Sequence, residues 1–321
     1  MAEKSPTIQR HHHITLCVGG AQEDYDFHTK LLSFKNVKKT ALYDGTFPIR
    51  HFYYGNDLGD ESTLVTCFPM RQSGRKGRKG TGQVTVLQLS APVSSLTYWK
   101  DRLTAHGIAV KTAERFGERI LQFQHPCGID YELVGIADDT RKGYSNGQVP
   151  ADMTVRGVHG ITVSAREMEA MDEFMHLAWS ARRTMTDRKH TRYVFGDGGP
   201  GKIVDILHEP NLQQASWTFG EGIIHHCAFQ VADLDVQDAV KVNLEGLGFT
   251  DVSDRKDRGY FLSIYTRTPS GAMFEATVSK PEGMLIDETY EQLGQSLQVP
   301  PVFADRKQEI IEFLDAEPLV Y

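Results

Sequence analysis

Residues 11–18 read His11-His12-His13-Ile14-Thr15-Leu16-Cys17-Val18, three imidazoles running into a β-prone apolar stretch. The same kind of start returns along the chain. Gly160-Ile161-Thr162-Val163 and His226-Cys227-Ala228-Phe229 repeat it closely, and Gln83-Val84-Thr85-Val86 repeats it more loosely. Aligned on positions 13, 83, 160 and 226, the starts recur every ~65–75 residues, which points to a repeated supersecondary unit.

Each start leads into a helical pattern. Leu96, Trp99 and Leu103 recur at helical spacing after the second start. Met171, Phe174, Met175 and Ala178 do so after the third, and Val236, Ala239, Val240, Leu244 and Leu247 after the fourth. The first unit is less clean, with Tyr25, Phe27, Leu31 and Leu32. Every unit then closes with β-prone runs, the last of them at 63–68, 129–134, 202–207 and 272–277. The pattern predicts an α+β fold of four βαβββ modules. One module alone leaves a sheet face uncovered, so modules pair into two barrel-like domains. The polar, turn-rich stretch 137–155 predicts the link. The expected division is 9–140 for the N-terminal domain (modules one and two) and 155–280 for the C-terminal domain (modules three and four). A tail at 281–321 follows, with a short helix expected over 309–314.

Composition bounds the function classes. The 321 residues are 40% hydrophobic and 24% charged, with a formal net charge of -7, as in an ordinary globular protein. A mildly acidic chain lacks the electrostatic footprint of a general nucleic-acid binder. No apolar stretch approaches the ~18–20 residues of a membrane span, and the polar Met1–Arg10 offers no leader core. Cys17, Cys67, Cys127 and Cys227 have no metal-type spacing. Free buried thiols and a cytoplasmic location are expected. The basic run Arg71, Arg75, Lys76, Arg78, Lys79 is expected to be a solvated loop. The glycine-rich 196–201 stretch precedes a strand rather than a helix, so it reads as a turn.

The equivalent positions of the four units carry the chemistry. The start position holds His13, Gln83, Gly160 and His226, and the last-strand position holds Thr66, Glu132, Asp205 and Glu275. Modules one and four together thus supply two histidines and one glutamate. That is the ligand set of a non-haem Fe(II) oxygenase, with open positions opposite for substrate and O2. Each residue alone has an ordinary structural reading. His13 sits in a polar histidine run, and a lone histidine is seldom a ligand. A buried Glu275 or an uncoordinated His225-His226 pair in an apolar strand would, however, need partners. If the three share an ion, modules one and four lie side by side, and the middle two pair around a pocket without metal. The turn Thr268-Pro269-Ser270-Gly271 places Tyr265 opposite Glu275 on the same sheet face, unless the register slips by one.

With these residues in view, the chain resembles the vicinal-oxygen-chelate superfamily. Within it, the chain is similar to the hydroquinone/chlorohydroquinone 1,2-dioxygenase type of ring-cleaving dioxygenase. The matching segments span nearly the whole chain: His12-His13-Ile14-Thr15, Val37-Lys38-Lys39-Thr40, Tyr43-Asp44-Gly45, Gly77-Arg78-Lys79-Gly80, Arg115-Phe116-Gly117-Glu118-Arg119, Phe123-Gln124-His125-Pro126, His225-His226, Arg258-Gly259-Tyr260-Phe261 and Phe274-Glu275-Ala276. The resemblance implies Fe(II) held by His13, His226 and Glu275, with His12, His225, Arg258 and Tyr265 as catalytic residues around it. It implies a small aromatic diol and O2 as reactants, no nucleic-acid or membrane partner, and leaves homo-oligomerisation open. Strand alternation predicts that His12 and His225 point away from their ligand neighbours unless a bulge intervenes.

Some features depart from the family pattern. His11 is an extra histidine, Cys127 and Cys227 serve no evident chemistry, and the tail reads Gly283-Met284-Leu285-Ile286-Asp287-Glu288 where some relatives carry a histidine. These departures bear on the ring substituents rather than on the metal. The competing functions are catechol-type extradiol cleavage and a non-catalytic protein that binds small aromatics. A glyoxalase-like isomerase is disfavoured, because it would want a carboxylate at Thr66.

Overall fold

A computed structural model describes residues 6–43, 47–216, 218–316 and 319–320; Asp44 and Gly45 of the motif at 43–45 lie outside these. Module one contributes β1 (Arg10–Val18), β2 (Lys35–Tyr43), β3 (Pro48–Gly55) and β4 (Leu64–Pro69). Module two contributes β5 (Val84–Pro92), β6 (Lys111–Arg115), β7 (Glu118–Gln124) and β8 (Asp130–Ile136). Module three contributes β9 (Gly157–Ala165), β10 (Arg182–Asp187), β11 (His190–Val194) and β12 (Ile203–His208). Module four contributes β13 (Ile223–Gln230), β14 (Lys256–Asp257), β15 (Phe261–Arg267) and β16 (Met273–Ser279), and the tail adds β17 (Leu297–Gln298).

One helix follows the first strand of each module: α1 (Ala21–Asp26), α2 (Leu96–Ala105), α3 (Met168–Glu173) and α4 (Leu234–Gly246). α1 and α3 each continue into one widened π turn, Phe27–Leu31 and Phe174–Ala178. The apolar stripes predicted from spacing face the core, except that Leu247 lies just past the end of α4 and is exposed. The tail helix α5 spans Lys307–Asp315. Among the described residues, no helix is long and apolar enough to cross a membrane.

The strands form two curled sheets with the orders β14-β15-β16-β13-β1-β4-β3-β2-β17 and β10-β11-β12-β9-β5-β8-β7-β6. Module one is therefore continuous with module four, and module two with module three. Each sheet draws on both halves of the chain, so sheet formation does not follow the division at 9–140 and 155–280. The joins are the antiparallel pairs β1–β13 and β5–β9. One face of these central strands, with Ile14, Leu16, Cys227 and Phe229 in one sheet and Leu87, Leu89, Ile161 and Val163 in the other, feeds a shared core with the helices. Burying large side chains such as Trp99, Trp179 and Phe274 contributes roughly 1.5–3 kcal/mol each. The opposite face of the first sheet lines a cavity.

The register also corrects one alignment. Thr15 pairs with Thr66 and Gln88 pairs with Glu132. The residue of module two that matches His13 is therefore Val86, two before Gln88, and not Gln83. Neither Val86 nor Gly160 offers a ligand.

Candidate metal centre

Two rows of residues crossing the central strands build the site. Tyr265, Glu275, Ala228 and His13 stand side by side across β15, β16, β13 and β1. Tyr53, Thr66, Thr15 and His226 stand likewise across β3, β4, β1 and β13. The repeat relates one row to the other, and in-register residues share a sheet face. Hydrogen bonding of the two first strands thus brings the distant His13, His226 and Glu275 together.

Nε2 of His226 lies 3.2 Å from Nε2 of His13 and 2.9 Å from Oε2 of Glu275. His13 Nε2 is 3.8 Å from the same oxygen. Ligands ~2.1 Å from one ion and at right angles stand ~3 Å apart, so the three atoms are spaced as one coordination face. All three residues are buried. Oε1 of Glu275 accepts a hydrogen bond from Thr277, but Oε2 has none. A buried carboxylate oxygen without a donor, aimed at two imidazoles, is what a cation satisfies. Burial works against the charged form of Glu275, yet the facing imidazoles hold its carboxyl below the usual range. Burial holds His13 well below the ordinary imidazole range, and so neutral. Carboxylate and neutral imidazole are the forms that bind metal.

His12 and His225 owe their places to bulges. Each is the extra residue where the β1–β13 register shifts. Freed from alternation, each sets its Nδ1 2.8 Å from Nδ1 of the histidine that follows it, His13 or His226. Beyond that the two differ. His12 runs back from the site, its Nε2 2.9 Å from Ser279 Oγ, which in turn donates to Glu61 Oε1 at 2.8 Å. His225 lies on the wall of a cavity, stacked on Phe219 with ring centroids 3.6 Å apart.

That cavity, about 600 Å³, opens over His13 and His226. Leu42, Phe68, Phe261 and Met273 give it apolar walls. Arg258 Nε donates to the Tyr265 hydroxyl at 2.9 Å beside it, and burial pushes the Tyr265 phenol up.

Three contributions had not been expected. Tyr53 lines the cavity as the repeat counterpart of Tyr265. His51 is held between the Tyr53 and Phe68 rings, with Nε2 3.0 Å from Thr66 Oγ1. The tail supplies a wall through Ile286, Asp287 and Pro300–Phe303. Tyr53 was legible by carrying Tyr265 through the repeat, whereas in the tail the departure at 283–288 pointed toward the substrate but Pro300–Phe303 gave no signal. In the first module hydroxyls occupy the place of Glu275: Thr66 Oγ1 is 2.7 Å from Thr15 Oγ1, itself 2.8 Å from His226 Nε2.

The matching face of the other sheet is filled by arginines. Arg115 forks onto Glu132, and Arg192 forks onto Asp205 at 2.8 and 3.0 Å. Gln88 and Gln122 complete the network on Asp205 and Glu132. Guanidinium charge thus answers both carboxylates where the first sheet leaves one exposed to an ion.

The remaining sequence features have structural roles. His11 lies between the sheets, 2.7 Å from Ile203 O and 3.2 Å from Cys227 Sγ. In the basic loop, Arg71 and Lys76 pair with Glu221 and Lys79 pairs with Asp130.

The chain is 41% identical over 323 residues, covering all of both chains, to a chlorohydroquinone/hydroquinone 1,2-dioxygenase of Sphingobium indicum. It is 30% identical over 316 residues, 97% of this chain and 96% of the relative, to MhqO of Bacillus subtilis, a protein provisionally named a ring-cleaving dioxygenase. A crystal structure of a provisionally named dioxygenase from B. subtilis superposes with a TM-score of 0.88 at 28% identity, over 96% of each chain. Glyoxalase I of Zea mays, with a TM-score of 0.61 at 15% identity over 84% of this chain and 92% of its own, shares the fold. No family model matches. Identity along the full length to ring-cleaving dioxygenases places the chain in that family, on a fold of four βαβββ modules shared with glyoxalase I.

Proposed function

We propose that the chain opens the ring of a hydroquinone with O2, using Fe(II) held by His13, His226 and Glu275. The observation that carries this reading is the set of three buried donor atoms, all within 4.8 Å of one another, facing an apolar cavity. The relative named for chlorohydroquinone and hydroquinone supports the para-diol. Two imidazoles and a carboxylate on one face favour Fe(II) among the ions that such a set accepts.

Bound there, Fe(II) supplies Lewis acidity toward a ring oxygen and the one-electron chemistry that couples ring oxidation to O2. The protein's own groups do the rest. A para-diol cannot reach one ion with both oxygens, so its far oxygen needs a protein partner, and Arg258, a cation on that cavity wall already bonded to Tyr265, is suited to it. The Tyr265 oxygen already accepts from Arg258, which leaves its O–H to donate to a substrate oxygen. Its raised pKa keeps that proton in place. His226 donates from Nδ1 to His225 Nδ1 when its Nε2 is a ligand, so His225 carries its proton on Nε2 at the cavity wall. That is where a general acid or base is wanted. Phe68, Phe261 and Met273 exclude water around the reacting ring.

The test is anaerobic loading with one equivalent of Fe(II), then oxygen uptake with hydroquinone and, separately, catechol. Uptake with hydroquinone and none with catechol is expected. The reverse pattern would establish the ortho-diol reaction instead, and no uptake with either would leave a binding protein.

A further inference from the structure

We propose that Glu61 and Ser279 form a positioning relay that locks His13 in the tautomer presenting a bare Nε2 to the metal. The proposal rests on reading His13, His226 and Glu275 as ligands, and assigns roles to two residues outside that set.

The direction of every hydrogen bond in the relay is forced. Ionised Glu61 has acceptors only, so Ser279 donates to its Oε1 at 2.8 Å. Having given its hydrogen to Glu61, Ser279 Oγ accepts from His12 Nε2–H at 2.9 Å. A neutral imidazole protonated on Nε2 has its lone pair on Nδ1. His12 Nδ1 therefore accepts from His13 Nδ1–H at 2.8 Å. His13 is then left with a lone pair on Nε2, the atom 3.8 Å from Glu275 Oε2.

The relay is also mechanically tied. Glu61 lies in the loop between β3 and β4, Ser279 ends β16, and Gln230 at the end of β13 donates to the same Glu61 oxygen at 3.4 Å. A carboxylate at the end of a ligand histidine's hydrogen-bond chain orients the ring and raises its basicity. His225, the near-symmetric partner, bonds His226 through Nδ1 and lines the cavity, with no such chain behind it among the described residues. One imidazole ligand is thus fixed from behind, while the other communicates with substrate.

The experiment titrates Co(II) into the metal-free full-length protein and reads the visible absorption of the bound ion, so it needs no turnover. Glu61→Gln can turn its amide N–H toward Ser279 and reverse the chain, and Ser279→Ala breaks it. Both are expected to weaken Co(II) binding about 10–100-fold, with the unfolding midpoint of the metal-free protein little changed. Ser279→Thr, which keeps the hydroxyl, is expected to restore tight binding. Wild-type affinity in both Glu61→Gln and Ser279→Ala would overturn the relay while leaving the ligand set intact. So would weakened binding that tracks lost stability and is not rescued by Ser279→Thr. Failure of the wild-type protein to bind Co(II) would instead overturn the ligand reading itself.

Discussion

The backbone N–H of Cys127 donates to Nδ1 of His125 across 3.1 Å, and this bond separates two clusters of like composition. Asp24, His28 and His125 gather two imidazoles and one carboxylate as closely as the proposed metal centre does. Asp24 Oδ1 is 3.1 Å from His28 Nδ1 and 3.4 Å from His125 Nε2. With Nδ1 of His125 occupied as an acceptor, its ring proton sits on Nε2 and faces the carboxylate. No lone pair is left there for an ion. At His13 the hydrogen bonds run the other way and leave Nε2 bare. Protein loaded anaerobically and desalted should therefore hold one metal per chain by elemental analysis. His125→Gln should keep that one metal while losing about 1–3 kcal/mol of stability in denaturant unfolding. Two metals in the wild type, falling to one in the variant, would contradict the assignment.

Glu275→Gln keeps the shape of the carboxylate and removes its charge. The metal-free protein should fold, because the amide can still meet Thr277 and His226. Stoichiometric metal and oxygen uptake should both be lost. Tyr265→Phe should behave differently. The phenol is not among the ligands, so metal content should stay at the wild-type level while kcat falls about 100-fold, the scale of one positioned proton donor. Comparing metal content with turnover in the two variants separates binding from chemistry.

The repeat made the triad legible. Only an alignment of the modules shows that His226 and His13 are the same residue in two copies, and Glu275 the one carboxylate at the last-strand position of modules one and four. The pairing of module one with module four followed from requiring the ligands to meet, and the β1–β13 ladder provides it. Period-two reasoning could say only that His12 and His225 would turn away without bulges, since the extra residue leaves no mark in composition. Module two was misaligned by three because its start, Gln83-Val84-Thr85-Val86, alternates weakly. That the middle pair holds no metal was legible from its starts, but the arginines that satisfy Asp205 and Glu132 were not, because they stand on β6 and β11, strands with no repeated motif.

That arginine-filled face makes its own prediction. Arg192 donates to Asp205 twice and to Glu118 at 2.8 Å while itself buried. Arg192→Leu leaves the buried Asp205 with Gln88 and Arg115, the latter 3.7 Å away, as its remaining partners and should cost about 3 kcal/mol. Adding Asp205→Asn to it should recover part of the loss, since the buried charge goes with the carboxylate. Unfolding in urea measures both, and an additive double variant would show that the pair is not coupled.

His11 gives the acid limb of stability a specific contributor. Its Nε2–H donates to Ile203 O, which leaves Nδ1 as a lone pair beside the Cys227 thiol, kept protonated by burial. The neutral ring is thus fully satisfied, and a proton on Nδ1 would meet an S–H donor. Burial, partly opposed by the bond to Ile203, lowers the His11 pKa to about 4, against ~6.5 in an unfolded chain. The unfolded state therefore binds the proton first as pH falls. The contribution is fully present above pH ~6.5 and is lost progressively toward pH ~4, amounting to on the order of 3 kcal/mol. Other buried histidines, among them His51 and His225, shift the same way, so the wild-type slope alone identifies none of them. The difference between metal-free wild type and His11→Asn does. The variant should be less stable at pH 7, and the gap should narrow as pH drops from about 6.5 to 4. A gap that stays constant across that window would mean that His11 is not the group being titrated.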